Sequence, residues 1–256
     1  MYRAYRIKKP RGGFRLITEP SPELKVLLWD LKEDLDAIPL HDAAHGFVPG
    51  RSPKTNAMIH RCQEYILNID LKDFFPSVTK DLMMEVLGRH LSDEDTFSLV
   101  ESLCFYEGAL PQGAPTSPVL SNVYMIEIDN SLAEIAREEG WRYTRYADDI
   151  TFSGGSSLRD AMSELLFRLE KLLDAKGLRI NPKKVKLTSR SQCQRVTGIV
   201  VNNEKLTLKG RDRESLFQAL RGTSYKELSE SDHGYLEYVR SVDPKFYDKL
   251  CRHMNP

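Results

Sequence analysis

Three carboxylates stand where the chain has reason to avoid them. Asp70 closes the apolar run YILNIDL (65–71), and Asp148 and Asp149 fall together between the β-rich stretches of RYTRYADDITFSGG (142–155). A charge at the end of a buried strand is costly unless something compensates it. A cation would do so. Oxygen ligands with no His or Cys nearby point to Mg²⁺ or Mn²⁺ rather than zinc. Neighbouring strand residues face opposite sides, so Asp70 and Asp148 are expected as the main ligands and Asp149 as a secondary one. A plain alternative is that the paired acids only form a turn.

The elements that must hold these acids follow from periodicity and punctuation. Residues 1–20 alternate on either side of Arg11-Gly12-Gly13, which predicts a hairpin stopped by Pro20 and Pro22. Residues 24–38 carry apolar residues at helical spacing. Residues 39–60, rich in His, Gly and Pro, read as a loop. A buried strand is expected at 65–71, mostly helical structure at 79–107, a turn at LPQGAP, and a helix over 116–139 ending at Gly140. Residues 142–155 predict two strands whose tight turn carries the paired acids. A helix over about 157–176, a strand, a hairpin near RVTGIVVNNEKLTL and small helices divided by Pro244 complete the chain. Strands and helices do not alternate regularly, so the expectation is an α+β fold rather than a doubly wound sheet.

Composition narrows the classes. Across 256 residues, 41% are hydrophobic and 29% charged, which excludes a fibrous or disordered chain. No run approaches the roughly 18 apolar residues of a membrane span. Cys62, Cys104, Cys193 and Cys251 are scattered, with no zinc-ligand spacing, which makes a reducing cytoplasm the default. Net charge is zero, 37 basic against 37 acidic, but unevenly spread. Residues 1–29 hold seven Lys/Arg against two acids, and residues 179–213 hold ten against two. Between them, residues 127–149 hold seven acids against three Arg. Basic flanks around an acidic centre suit a protein that grips phosphates at its edges and cations in its middle. The bland reading of such blocks is solvated surface.

Five segments, RLITEPSPELK (15–25), IDLKDFF (69–75), LPQGAPTSP (110–118), YADD (146–149) and GLRINPKK (177–184), together resemble reverse transcriptases of prokaryotes, and among these the retron enzymes. YADD (146–149) resembles the Tyr-x-Asp-Asp box, and IDLKDFF (69–75) the motif with the first catalytic Asp and, five residues on, an aromatic gate. LPQGAPTSP (110–118), GLRINPKK (177–184) and RLITEPSPELK (15–25) resemble the motifs around the incoming nucleotide. The resemblance implies a right-hand architecture: fingers from 1–64, a palm with a small antiparallel sheet over 65–200 into which fingers helices (about 79–109) are inserted, and a compact helical thumb over 201–256. It implies Asp70, Asp148 and Asp149 as catalytic ligands of two Mg²⁺ ions, with Mn²⁺ as a substitute. Arg15 and Lys184 would face the triphosphate, with Lys183 as the rival of Lys184. Phe75 would exclude a ribose 2′-OH, its alternative being a plain core aromatic. Gln112 and Gly113 would line the nucleotide pocket, and the small Ala147 would leave room for the primer end. His41, His45, His90 and His253 match no catalytic role.

Two further elements are similar to retron enzymes: Asn56, Ala57 and His60 in TNAMIH, and Val196, Thr197 and Gly198 in RVTG. By that resemblance Asn56, His60, Val196, Thr197 and Gly198 would hold RNA. Their plain readings are an N-cap with a satisfied histidine, and an edge strand with a glycine bulge. The implied partners are a structured non-coding RNA serving as template and primer, the RNA–DNA duplex, deoxynucleoside triphosphates and a companion effector protein in phage defence, with no membrane. The alternatives are a non-retron bacterial reverse transcriptase and a catalytically inactive RNA-binding relative. An RNA-dependent RNA polymerase is disfavoured by Phe75.

Overall fold

The structure is a computed structural model that describes residues 1–8 and 12–254. The first position of the expected turn at 11–13 and the last two residues of the expected thumb lie outside them. Strands β1 (Tyr2–Lys8) and β2 (Phe14–Pro20) form an antiparallel hairpin. Helix α1 (Pro22–Leu35) starts where the Ser21 side chain accepts from Leu24 N with Pro22 in the first turn, and it buries Leu28, Leu31 and Leu35 on one stripe. The expected loop contains a short helix, α2 (Pro53–Ile59). Ser52 and Thr55 form a capping box around Pro53, a start signal masked by the surrounding Gly and Pro.

Then come β3 (Tyr65–Asp70), α3 (Phe74–Ser77), α4 (Lys80–Leu87), α5 (Glu94–Leu103), α6 (Ser117–Tyr124) and α7 (Ile126–Glu138). The expected helix over 116–139 is therefore two helices, which meet at Met125. Strands β4 (Arg142–Tyr146) and β5 (Asp149–Gly154) form the acidic hairpin. Helices α8 (Ser156–Asp160) and α9 (Met162–Asp174) stand where one was expected, divided at Ala161. The chain ends through β6 (Lys186–Ser189), the pair β7 (Arg195–Val196) and β8 (Ile199–Val200), and helices α10 (Gly210–Leu220), α11 (Glu230–Val242) and α12 (Pro244–Cys251).

The central sheet has the order β4-β5-β3-β6, all antiparallel. Its two faces bury different cores. Leu67, Ile69, Ile150 and Phe152 point to one face and pack with Val119, Val123, Ile128, Leu132, Leu165 and Leu169 from the helices behind it. Ile66 points to the other face, where it joins Ala57 of α2, Val196, Ile199, Leu236, Val239 and Leu250. Strand alternation thus places a second core under one end of the face that carries Asp70 and leaves the other end open. Among the described residues no helix is long and apolar enough to cross a membrane.

Candidate active site

Register sorts the open face of the sheet into rows. Tyr146, Asp149 and Asp70 lie side by side across three strands, followed by Thr144, Thr151, Asn68 and Lys186. Residues directly opposite one another share a face. The face therefore grades from carboxylates, through hydroxyls and amides, to buried Ile66. Asp148 stands outside this ladder. Ala147 turns the chain in the left-handed region (φ 55), and the Asp148 carbonyl accepts from Leu71 N at 3.0 Å. The alternation expected to set Asp148 against Asp149 does not apply, because β5 begins at Asp149 and Asp148 belongs to the turn. The cross-strand neighbour of Asp70 is Asp149.

The pKa values of Asp149 and Asp148 are both raised. Asp149 is pushed up to about 6, first by burial and then by the charges of Asp148 and Asp70; its outer edge remains open to water, which tempers the burial. Asp148 is raised by burial and by Asp70, against the pull of a backbone hydrogen bond, Lys184 and Arg15. Asp70 is 6% exposed. Its Oδ1 is ion-paired with Lys184 Nζ, and Asn181 Nδ2 donates to Oδ2 at 3.2 Å. The hydrogen bond to Asp70 is the main reason that the Lys184 pKa is raised. Of the two rival lysines, Lys184 is the one seated on Asp70. Lys183 lines the same cleft, a space of about 450 Å³ bordered also by Lys186, Arg195, Thr197 and Gly198.

Among the described residues no three His, Cys, Asp or Glu side chains are arranged to cage an ion unaided. Mg²⁺ is commonly held by one or two carboxylates, with water and substrate phosphates completing its shell. Carboxylates that repel one another, all offering hard oxygen donors, fit that kind of site.

The turn itself is held by a network that the sequence reading missed. Arg145 is fully buried and donates from Nε and Nη2 to Asp129 Oδ1 and Oδ2 at 2.8 and 2.6 Å. Its Nη1 donates to Asn122 Oδ1 at 2.9 Å and to the Ala147 carbonyl at 3.1 Å, and Tyr143 OH donates to Asp129 Oδ1 at 2.6 Å. Asn122 Nδ2 in turn donates to the Gly46 carbonyl at 2.9 Å. Gly46 lies so close to the turn that a Cβ there would overlap Ala147 N. Ala147, expected to leave room for a primer end, is buried against this backbone. The available signal was Arg145 itself, three positions before the paired acids in a strand that also carries Arg142.

The other expected residues are distributed as follows. Arg15 is exposed on β2, near enough for its charge to be felt at Asp148. Phe74 takes the core position at 3% exposure, while Phe75 is half-buried, with ring contacts to Phe74 and to the exposed Phe47. The Gln112 carbonyl accepts from Thr18 N at 2.7 Å. Gly113 has φ 135, and a Cβ on it would come within 2.9 Å of Thr18 O, so its close approach is to β2. On α11, the Tyr238 pKa is raised by burial and then by Tyr235 and Tyr146, so this helix lies near the end of β4.

Asn56 and His60 are not on the surface. Both are completely buried. His60 Nδ1 meets Ser153 Oγ and its Nε2 meets Thr144 Oγ1, each at 2.7 Å, so the ring bridges β4 and β5. Burial corrects the expectation that these two residues hold RNA directly, as it does for Val196. Thr197 Oγ1 donates to the Pro53 carbonyl at 2.9 Å, which fastens the β7–β8 pair to the start of α2. The two elements are therefore one joint, of which Thr197 and Gly198 reach the cleft.

The fold is shared with solved structures of telomerase and of a viral reverse transcriptase. Telomerase from Candida albicans, solved with a TWJ fragment of telomeric RNA, aligns with a TM-score of 0.56 over 100% of this chain and 57% of that one, at 12% identity. A foamy viral protease–reverse transcriptase solved with double-stranded DNA gives 0.52 over 93% and 36%, at 19% identity. The family model for reverse transcriptase (RNA-dependent DNA polymerase) matches residues 7–205, and the chain belongs to that family. Within it, the chain is similar to retron reverse transcriptases. Retron Ec86 reverse transcriptase from Escherichia coli is 34% identical over 261 residues, which is 99% of this chain and 80% of the relative. Retron Mx162 reverse transcriptase from Myxococcus xanthus is 38% identical over 228 residues, 78% of this chain and 47% of the relative. Retron Mx65 reverse transcriptase from the same organism is 34% identical over 279 residues, 100% and 64%. The chain spans about half to two thirds of the length of these two Myxococcus relatives.

Proposed function

We propose that this protein is a retron-type RNA-directed DNA polymerase that copies a structured non-coding RNA in the cytoplasm. The observation that carries this reading is the cross-strand pair Asp70–Asp149, with Asp148 in the turn beside it and Lys184 seated on Asp70. Asp70, Asp148 and Asp149 would hold two Mg²⁺ or Mn²⁺ ions, which would activate a primer hydroxyl and stabilise a leaving pyrophosphate. Lys184 and Arg15 bring positive charge to the triphosphate. Gln112 and Gly113, fixed against β2, border the nucleotide. Phe75, half-buried against the Phe74 ring, occupies the space that a 2′-OH would need. Thr197 and Gly198, beside Arg195, meet the RNA–DNA duplex or the RNA itself, where small and polar groups suit contacts to phosphates and 2′-hydroxyls.

In this reading residues 1–64 begin the fingers, 65–200 form the palm with inserted helices over about 79–109, and 201–256 form the thumb. A companion effector and a place in phage defence belong to the same proposal through the retron resemblance alone. The test is extension of a primer annealed to RNA, with deoxynucleotides and Mg²⁺, by the wild type and by Asp148→Asn. The variant is expected to lose on the order of a hundredfold or more in rate, and chelation of the metal to stop the wild type. Its melting temperature should not fall, because the substitution removes a carboxylate that its neighbours repel. Near-wild-type extension by Asp148→Asn would overturn the assignment.

A further inference from the structure

Phe47 is a large apolar residue, 46% exposed, in a loop where its ring adds little to either core. Its backbone lies in the left-handed region at φ 62, a conformation that bulky side chains rarely adopt. Such a conformation persists only where the surroundings over-determine it. They do so here. His45 N donates to the Arg145 carbonyl at 2.7 Å, Asn122 Nδ2 holds the Gly46 carbonyl, and Arg51 Nη1 holds the Ala44 carbonyl at 2.7 Å. Gly46 is seated directly against Ala147 of the catalytic turn. The loop is thus clamped to the turn that carries Asp148, and what it presents is the Phe47 ring.

That ring lies 6.2 Å from Phe75, centroid to centroid, at 51°. The buried Phe74 lies 5.6 Å from Phe75, also at 51°. Phe75 is therefore contacted by one ring from the core and by another from the solvent side. A half-exposed aromatic with one free side changes rotamer on the picosecond-to-nanosecond scale, and a ring that steps aside cannot reject one extra hydroxyl group.

We infer that Phe47 is a positioning residue for sugar selection, its ring bracing Phe75 in the rotamer that excludes a ribonucleotide. This rests on the reading of Phe75 as the sugar gate, and it adds that the gate is built from two chain segments rather than one. Phe47 acts through Phe75 and need not touch the sugar. The clamp from Gly46 to Ala147 means that the brace and the catalytic carboxylates are located by the same piece of backbone.

The experiment measures kcat/KM for a ribonucleotide relative to the matching deoxynucleotide, on a primed RNA template, for the wild type, Phe47→Ala, Phe47→Tyr, Phe75→Ala and the Phe47→Ala/Phe75→Ala double variant. A ratio cancels any loss of active protein, and Phe47→Leu stands in where the alanine variant does not fold. Phe75→Ala should raise the ratio most. Phe47→Ala should raise it by roughly two- to tenfold, the range expected for loss of one aromatic pair, while Phe47→Tyr keeps the wild-type ratio. The double variant should match Phe75→Ala, since a brace has no effect once the gate is gone. An unchanged ratio in Phe47→Ala beside a raised one in Phe75→Ala would overturn the brace and leave the gate. Unchanged ratios in both would overturn the gate and the brace with it. A double variant well above Phe75→Ala would show Phe47 meeting the sugar itself and would overturn its action through Phe75.

Discussion

At the scale of single residues, His60 shows how burial turns a polar side chain into a structural pin. Its two ring nitrogens meet hydroxyls on adjacent strands, and burial, with smaller contributions from Arg142 and His45, pushes its pKa down to about 3. In the unfolded chain the same ring titrates near 6.5. Above that pH neither state is protonated and the contribution of His60 to stability is intact. As the pH falls below it, the unfolded chain takes up a proton that the folded ring refuses, and stability is lost at about 1.4 kcal/mol per pH unit until the pH nears the folded value. His60→Gln should cost about 1–3 kcal/mol at pH 7.5 through impaired hydrogen bonds. It should also lose less stability than the wild type between pH 7.5 and 5.5. Urea unfolding at the two pH values measures both effects, and equal losses in the two proteins would remove His60 from the acid response.

At the scale of elements, the acidic hairpin depends on α7. Arg145 and Asp129 form an ion pair out of contact with water. Breaking such a pair from one side leaves a buried charge without compensation and costs about 3–5 kcal/mol. Asp129→Asn is expected to fall in that range by urea unfolding. Replacing both partners, as Arg145→Met with Asp129→Leu, removes the stranded charge and should recover much of the stability. It cannot restore the bonds from Arg145 to the Ala147 carbonyl and to Asn122 that fix the turn. Primer extension by the double variant should therefore remain well below wild type. Recovery of rate along with stability would mean that the network only holds the fold.

At the scale of the whole molecule, the C-terminal helices are not an independent unit. Their core takes in Ile66 from the central sheet and Ala57 from α2, and the Thr197 bond to Pro53 closes the same joint. Leu236→Ala, at a position 1% exposed on α11, should destabilise the protein by about 2–4 kcal/mol without uncoupling the two cores. Trp141 sits in the larger core, so its fluorescence and the far-UV circular dichroism should report one coincident transition in the variant, as in the wild type. An early loss of ellipticity with unchanged tryptophan fluorescence would show that the second core unfolds alone.

The division between sequence and tertiary structure follows these same scales. The acids Asp70, Asp148 and Asp149, the strands that carry them and the order of the motifs were legible because hydrophobic periodicity, turn residues and motif spacing are local properties of the chain. Phe75 was legible as a candidate with a plain core aromatic as its alternative, and Lys184 with Lys183 as its rival. In the tertiary structure Phe74 is buried, Phe75 is half-buried, and Lys184 is paired with Asp70. Helix α2 was hidden because its capping box lies among residues that usually mark loops. The partnership of Arg145 with Asp129, the contact of Gly46 with Ala147 and the bracing of Phe75 by Phe47 join residues distant in the chain, and no local pattern encodes which of many charges or rings will meet. Asn56 and His60 make the same point in reverse. Polar residues in a recognisable motif suggested contact with RNA, but which face of a helix is covered depends on what packs against it, and here the β7–β8 pair and the central sheet cover it completely.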